Sequence, residues 1–175
     1  MKAFVTGVNG QLGFDVINEL ERRGYEGIGS DITPIYSGIT RSNAIDNMSY
    51  IQMDITDGDM VDKVLSEVSP EVVIHCAAWT AVDAAEDEEN QNKVWNINVE
   101  GTKNIAEACK KIDCKMVYIS TDYVFDGRGD IPWEPDCKDY GPLSVYGKTK
   151  LQGELAVAEI LEKYFIVRIA WVFGI

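Results

Sequence analysis

Short apolar runs alternate with amphipathic stretches along the whole chain, and the two periodicities predict strands separated by helices. Lys2 to Thr6 reads as a buried strand. The segment after it carries Leu12, Val16, Ile17 and Leu20 on one helical face and stops at Gly24. A second strand, Gly27 to Ser30, ends in Asp31, and a polar stretch from Ile32 to Ser49, punctuated by Pro34 and Gly38, reads as a long surface loop. Tyr50 to Met53 is a third strand ending at Asp54. Asp57 is placed to cap a helix bearing Met60, Val61, Val64, Leu65 and Val68, and Glu71 to His75 follows as a fourth strand. The pattern then predicts a helix over roughly Asn92 to Lys111, a strand at Lys115 to Ile119, a helix from Tyr146 to Lys163 and a last strand at Phe165 to Ala170. Strands alternating with helices imply an α/β fold with a doubly wound parallel sheet.

Composition adds that this is one ordinary globular domain, since 175 residues with 46% hydrophobic and 26% charged content can fill one core. A formal net charge of -13 argues against nucleic acid or an anionic membrane surface as partner, because the long-range field repels both. The acidic cluster from Asp83 to Glu89 reads as a solvated face and the opening turn of a helix. Cys76, Cys109, Cys114 and Cys137 lack Cys-x-x-Cys spacing, and the single His75 does not complete a zinc set with them, so no metal site is expected and the cysteines read as reduced thiols. His75, with strand residues on either side, reads as a core histidine. No secretory leader or membrane-length apolar run is legible, which predicts a cytoplasmic protein.

Chemistry enters with the glycines. Gly7, Gly10 and Gly13, with Asn9, Gln11 and Leu12 among them, lie directly between the first strand and the first helix. There the backbone can turn tightly and present N–H groups to a pyrophosphate at a helix N-terminus, the fingerprint of a Rossmann-type dinucleotide site. Asp31 at the end of the second strand suits the hydroxyls of an adenosine ribose and favours NADH. A 2'-phosphate would meet a like charge there, with no basic residue before Arg41. Asp54 and Ile55 after the third strand, and Ala77, Ala78 and Trp79 after the fourth, fall on the strand ends where open α/β sheets bind ligands.

Tyr146 and Lys150 are four residues apart in a predicted helix, so the phenol and the ammonium share a face. A phenol ordinarily titrates near pH 10, and a neighbouring cation is expected to lower it until it can exchange a proton with a carbonyl or alcohol oxygen. Ser120-Thr121-Asp122 follows the fifth strand at the same sheet edge. Its hydroxyls read either as turn caps or as groups that orient a substrate carbonyl.

The glycine turn, Cys76 to Asp83, Asn98 to Thr102, the block Tyr118 to Gly127 and the run Val145 to Glu154 together resemble the extended short-chain dehydrogenase/reductases, and within them the dTDP-4-dehydrorhamnose reductase family. The resemblance implies NADH- or NADPH-dependent reduction of the C4 ketone of dTDP-4-dehydro-L-rhamnose. Tyr146 would act as proton donor, Thr121 would hold the ketone oxygen, and Lys150 would tune Tyr146 and grip the nicotinamide ribose. It further implies Asn98 supporting Lys150 through a water, and Asp122 and Trp171 at the sugar. Related dehydratases carry a Glu where Tyr123 stands. Dehydratase and epimerase readings therefore rank below the reductase, and a non-catalytic dinucleotide-binding regulatory subunit, like that of methionine adenosyltransferase, is the alternative of a different class. The smaller substrate lobe of that family is absent from these 175 residues, which look cut off after the last strand. The chain by itself is therefore expected to bind dinucleotide and to reduce substrate poorly. A nucleotide sugar is the expected partner, and pairing with a second copy is left open.

Overall fold

The computed structural model describes residues 1–40, 48–128 and 130–173. Among them six strands form one parallel sheet: β1 (Lys2–Thr6), β2 (Glu26–Asp31), β3 (Ser49–Gln52), β4 (Val72–His75), β5 (Lys115–Thr121) and β6 (Tyr164–Ile169). Their spatial order is β3-β2-β1-β4-β5-β6, the doubly wound arrangement in which the direction of winding reverses between β1 and β4. Ligands bind at such a reversal, outside the C-terminal strand ends, and both Gly7 and Ala77 lie there. Register is continuous across the sheet, with Thr6 beside Ser30 on one side and His75 on the other.

Helices cover both faces. Helix α1 (Gln11–Arg22) buries Phe14, Ile17 and Leu20 against Ala3 and Val5 of β1. Helices α2 (Gly58–Val68), α4 (Thr102–Lys111) and α5 (Val145–Ile160) pack on the opposite face around Phe4, Met116, Ile105 and Val157. Local chemistry sets their ends. Gly24, at φ +70, closes α1 in the left-handed conformation, with the Tyr25 amide donating to the Leu20 carbonyl at 2.9 Å. The Asp57 carboxylate caps α2 by accepting from the Met60 amide at 3.0 Å.

The helix predicted as continuous over 92–111 is instead three pieces. Helix α3 (Glu88–Trp95) passes into a π-helical turn, Asn96–Gly101, before α4 begins. Two contacts account for the break. The Asn98 side chain clasps the Trp79 backbone, accepting from its amide at 2.8 Å and donating to its carbonyl at 3.2 Å. A Cβ at Gly101 would stand 2.8 Å from the Ile55 side chain, so the chain needs glycine there to come this close. Of the loop expected over 32–49, residues 41–47, including Arg41, lie outside the described set.

Candidate active site

The strand ends and helix N-termini enclose a cleft of about 630 Å³. Gly7, Gly10, Gln11, Leu12 and Gly13 line it from the first turn. Gly7 has φ +73, and a Cβ there would stand 2.6 Å from the Ala77 amide nitrogen. One on Gly13 would reach the Gly7 carbonyl and lie 2.7 Å from Val8 Cα. Neither position has room for a side chain, so the turn is pressed against β4 and α1, and its backbone faces the cleft. The Gly7 amide donates to the Ser30 carbonyl at 2.8 Å, tying the turn to β2.

Asp31 also lines the cleft, with Oδ2 accepting from the Asn9 amide at 3.0 Å and Oδ1 from the Ile32 amide at 2.8 Å. These bonds fix the carboxylate and leave lone pairs on both oxygens for ribose hydroxyls. Asp54, Ile55, Ala77 and Ala78 complete this half, and Asp54 is steadied by the Thr56 hydroxyl at 2.7 Å. Asn9 and Trp79, by contrast, are not part of the lining. Asn9 uses its side chain to hold the loop after β2, donating to Thr33 at 2.8 Å and accepting from the Ser37 amide at 3.0 Å. Trp79 lies half-buried beside the mouth, its indole N–H on the Ala81 carbonyl at 3.0 Å.

The other half of the cleft is built by β5, α5 and the chain after β6. Tyr146 and Lys150 stand one turn apart on α5 and both face the cleft, together with Thr121, Asp122 and, at the exposed rim, Trp171. The Ser144 hydroxyl caps α5 by accepting from the Gly147 amide at 3.0 Å. Glu86 adds a second restraint, accepting from the Val145 amide at 2.7 Å, so one carboxylate of the acidic cluster ties down this helix rather than only facing solvent. The Thr121 hydroxyl acts as a turn cap at the cleft edge. It accepts from the Tyr123 amide at 3.2 Å, donates to Asp122 Oδ1 at 3.1 Å, and faces the cleft beside the Tyr146 phenol.

Electrostatics here depart from expectation in one respect. The Tyr146 phenol is raised, not lowered: burial disfavours its anion, and the neighbouring Thr121 hydroxyl only opposes this. Lys150 does not offset the effect, because its ammonium lies over the Tyr118 ring, 4.2 Å from the centroid. Burial pulls Lys150 itself down to about 7, with the Glu154 carboxylate opposing the shift. Asn98 is buried and reaches Thr149, next to Lys150, donating to its hydroxyl at 3.1 Å. Its link to the lysine runs through this neighbour and the Trp79 backbone.

Three further features surround the site. His75 is buried between two hydroxyls, Thr6 at 2.7 Å from Nδ1 and Thr102 at 3.2 Å from Nε2. The Thr102 proton goes to the Asn98 carbonyl at 2.8 Å, which assigns the donor role to Nε2–H and leaves Nδ1 to accept from Thr6. Burial accordingly pulls this imidazole down to about 3, and His75 is the satisfied core histidine that its strand position suggests. Glu154 and Arg168 form a bidentate pair at 2.9 and 2.7 Å, and the guanidinium also bonds Tyr140 at 3.1 Å and the Pro135 carbonyl at 3.3 Å. Tyr118, beneath Lys150, is fully buried. Beyond His75, only Glu154 had a readable cue, its spacing of four from Lys150. Among the described residues no cluster of His, Cys, Asp and Glu is gathered that could hold a metal, and no helix is long and apolar enough to cross a membrane.

A parallel sheet wound in this order, with a glycine turn on its first strand and a Thr/Tyr/Lys set at its fifth strand and the next helix, defines the Rossmann-type nucleotide-binding class. Within that class the chain belongs to the RmlD substrate binding domain family, whose model matches residues 1–175. It is 40% identical to a dTDP-4-dehydrorhamnose reductase of Streptomyces griseus over 97% of this chain and 49% of that protein. Among solved structures, a dTDP-4-dehydrorhamnose reductase of Clostridium acetobutylicum superposes with TM-score 0.83 at 40% identity, over 99% of this chain and 55% of that one. One from Bacillus anthracis, in complex with NADP, also gives 0.83, at 36% identity over 99% of this chain and 55% of that one. The chain thus spans about half the length of these relatives.

Proposed function

We propose that the protein reduces the C4 ketone of dTDP-4-dehydro-L-rhamnose to dTDP-L-rhamnose, using NADH or NADPH, in the cytoplasm. The observation that carries this reading is that Thr121, Tyr146 and Lys150 face the same cleft as the glycine turn. The residues present fit a dinucleotide: the backbone at Gly7 and Gly13 is too closely approached for any side chain, and α1 presents its N-terminus beside it. When bound, the dihydronicotinamide supplies the hydride.

The chain's own residues supply the rest. Tyr146, whose raised phenol keeps its proton at neutral pH, gives that proton to the oxygen at C4 as negative charge develops there. Thr121, which faces the same cleft, orients the same oxygen. Lys150 would hold the nicotinamide ribose through its ammonium. Asp31 holds the adenosine ribose and leans toward NADH, whereas the Bacillus anthracis relative was solved with NADP. Asp122 and Trp171 face the sugar. Residues 1–175 act in this reading as the dinucleotide-binding domain.

NADH and NADPH oxidation with dTDP-4-dehydrorhamnose, comparing the full-length protein with its Tyr146→Phe variant, tests the proposal. Turnover is expected to drop by roughly 100- to 10,000-fold in the variant while dinucleotide binding persists. Binding without turnover in the parent would replace this reading with the non-catalytic regulatory one.

A further inference from the structure

We propose that Tyr118 is a positioning residue for Lys150, its ring serving as the seat of the ammonium and its hydroxyl holding the helix turn that carries it. The inference rests on the function proposed above. Lys150 is 2% exposed, and among the described residues no carboxylate takes a hydrogen bond from its Nζ. The carboxylate nearest along the helix, Glu154, has both oxygens engaged by Arg168, at 2.9 and 2.7 Å.

The other groups facing the ammonium carry no charge that could serve. The His75 imidazole is neutral in its two-hydroxyl cradle, the Cys76 thiol is pushed up to about 12 by burial, and the Tyr146 phenol is raised by burial as well. What meets the ammonium directly is the face of Tyr118, at 4.2 Å, close enough for the ring quadrupole to favour the charged form. The same residue fixes the lysine backbone, since its hydroxyl donates to the Lys150 carbonyl at 3.3 Å. Gly153 leaves space for that hydroxyl, for any Cβ there would run into it. The ring is itself held in place beside the His75 imidazole, with centroids 5.9 Å apart and planes 24° apart.

Tyr118 reaches the cleft only through Lys150: it is fully buried and is not part of the cleft lining. Removing the ring face withdraws the interaction that favours the ammonium, so Lys150 loses its proton at lower pH. A lysine that must be charged to grip the ribose then fails earlier as pH rises.

The test follows NADH binding by fluorescence, and turnover of the 4-keto sugar nucleotide, across the neutral to alkaline range in the full-length protein. It compares the parent with Tyr118→Phe, Tyr118→Leu and position 118 occupied by progressively fluorinated phenylalanines. Tyr118→Phe is expected to keep the alkaline limb of both profiles, and Tyr118→Leu to move it down by about one pH unit. The fluorinated series keeps the ring's shape while weakening its face, so the limb should descend stepwise even if the leucine variant does not fold. A limb that stays put across that series, or one that Phe moves as far as Leu, would overturn the proposal. A parent that binds NADH with the expected limb but turns over no sugar would remove the reductase reading and leave the seat standing.

Discussion

The two halves of the cleft are made from different materials. On the side of β1 and α1 the surface is backbone, with the Asp31 carboxylate at the end of β2 beside it: Gly7 and Gly13 have no room for a Cβ, and amides are tied to neighbouring carbonyls. On the side of β5, α5 and β6 it is shaped by ionisable groups taken out of water, with Lys150 and Glu154 almost wholly buried and Arg168 folded over Phe125 and Tyr140. A backbone surface is fixed by sterics alone and has no proton to lose. A surface of buried charges holds only while every charge has its partner, but it can tune proton affinities, and that is where the candidate proton donor sits.

The sharpest way to break this contrast is to remove one charge from the second half. Arg168→Met leaves Glu154 buried without its partner and is expected to cost about 3–5 kcal/mol of stability. Arg168→Met with Glu154→Met, which withdraws both charges together, should regain most of that loss. Urea unfolding of the two variants decides it. A double variant as unstable as the single one would mean that the guanidinium matters through its stacking on Phe125 and Tyr140 and its bonds to the loop at 135–140, rather than as a counter-charge.

The same contrast explains what could be read from the sequence. The glycine turn, Asp31 at a strand end and the Asp57 cap are local devices, each needing only the next few residues, and they appear where the pattern puts them. So do Tyr146 and Lys150, whose shared face needs only a helix. The π-helical turn at 96–101 was not legible because it is set by contacts to Trp79 and Ile55, far away in the chain. Tyr118 and Arg168 were hidden for a related reason. Inside an apolar strand Tyr118 looks like a core residue and Arg168 like a lone surface cation, and their partners arrive only when α5 packs on β5 and β6. The expectation that Lys150 lowers the Tyr146 phenol failed because helical spacing fixes which face two side chains share but not where an ammonium settles.

A steric prediction sharpens the first half. Gly13→Ala drives a methyl group into the backbone of Gly7 and Val8, and is expected to cost about 1–3 kcal/mol and to abolish NADH binding by moving α1 away from the turn. Gly10→Ala should change stability by less than about 1 kcal/mol, because its Cβ would meet only the Gly7 carbonyl at 3.4 Å and its φ of -82 is open to any residue. Thermal unfolding with NADH titration separates them. Equal losses at both positions would mean that chain flexibility, not close approach, is what the glycines provide.

The effect of pH should act through the second half and its centre. His75 is buried neutral and pulled down to about 3, whereas in the unfolded chain it titrates near its ordinary 6.5. As pH falls below about 6.5 the unfolded chain takes up a proton that the folded protein refuses, so stability declines by at most about 1.4 kcal/mol per pH unit until about pH 3. Above the ordinary histidine range this term is constant. Urea midpoints of the parent and of His75→Gln, compared between neutral pH and about pH 5, isolate it, because surface carboxylates are common to both. The parent should lose stability more steeply than the variant. Parallel slopes would mean that acid enters through those carboxylates, and that the Thr6–His75–Thr102 chain holds the two halves of the cleft together without sensing protons.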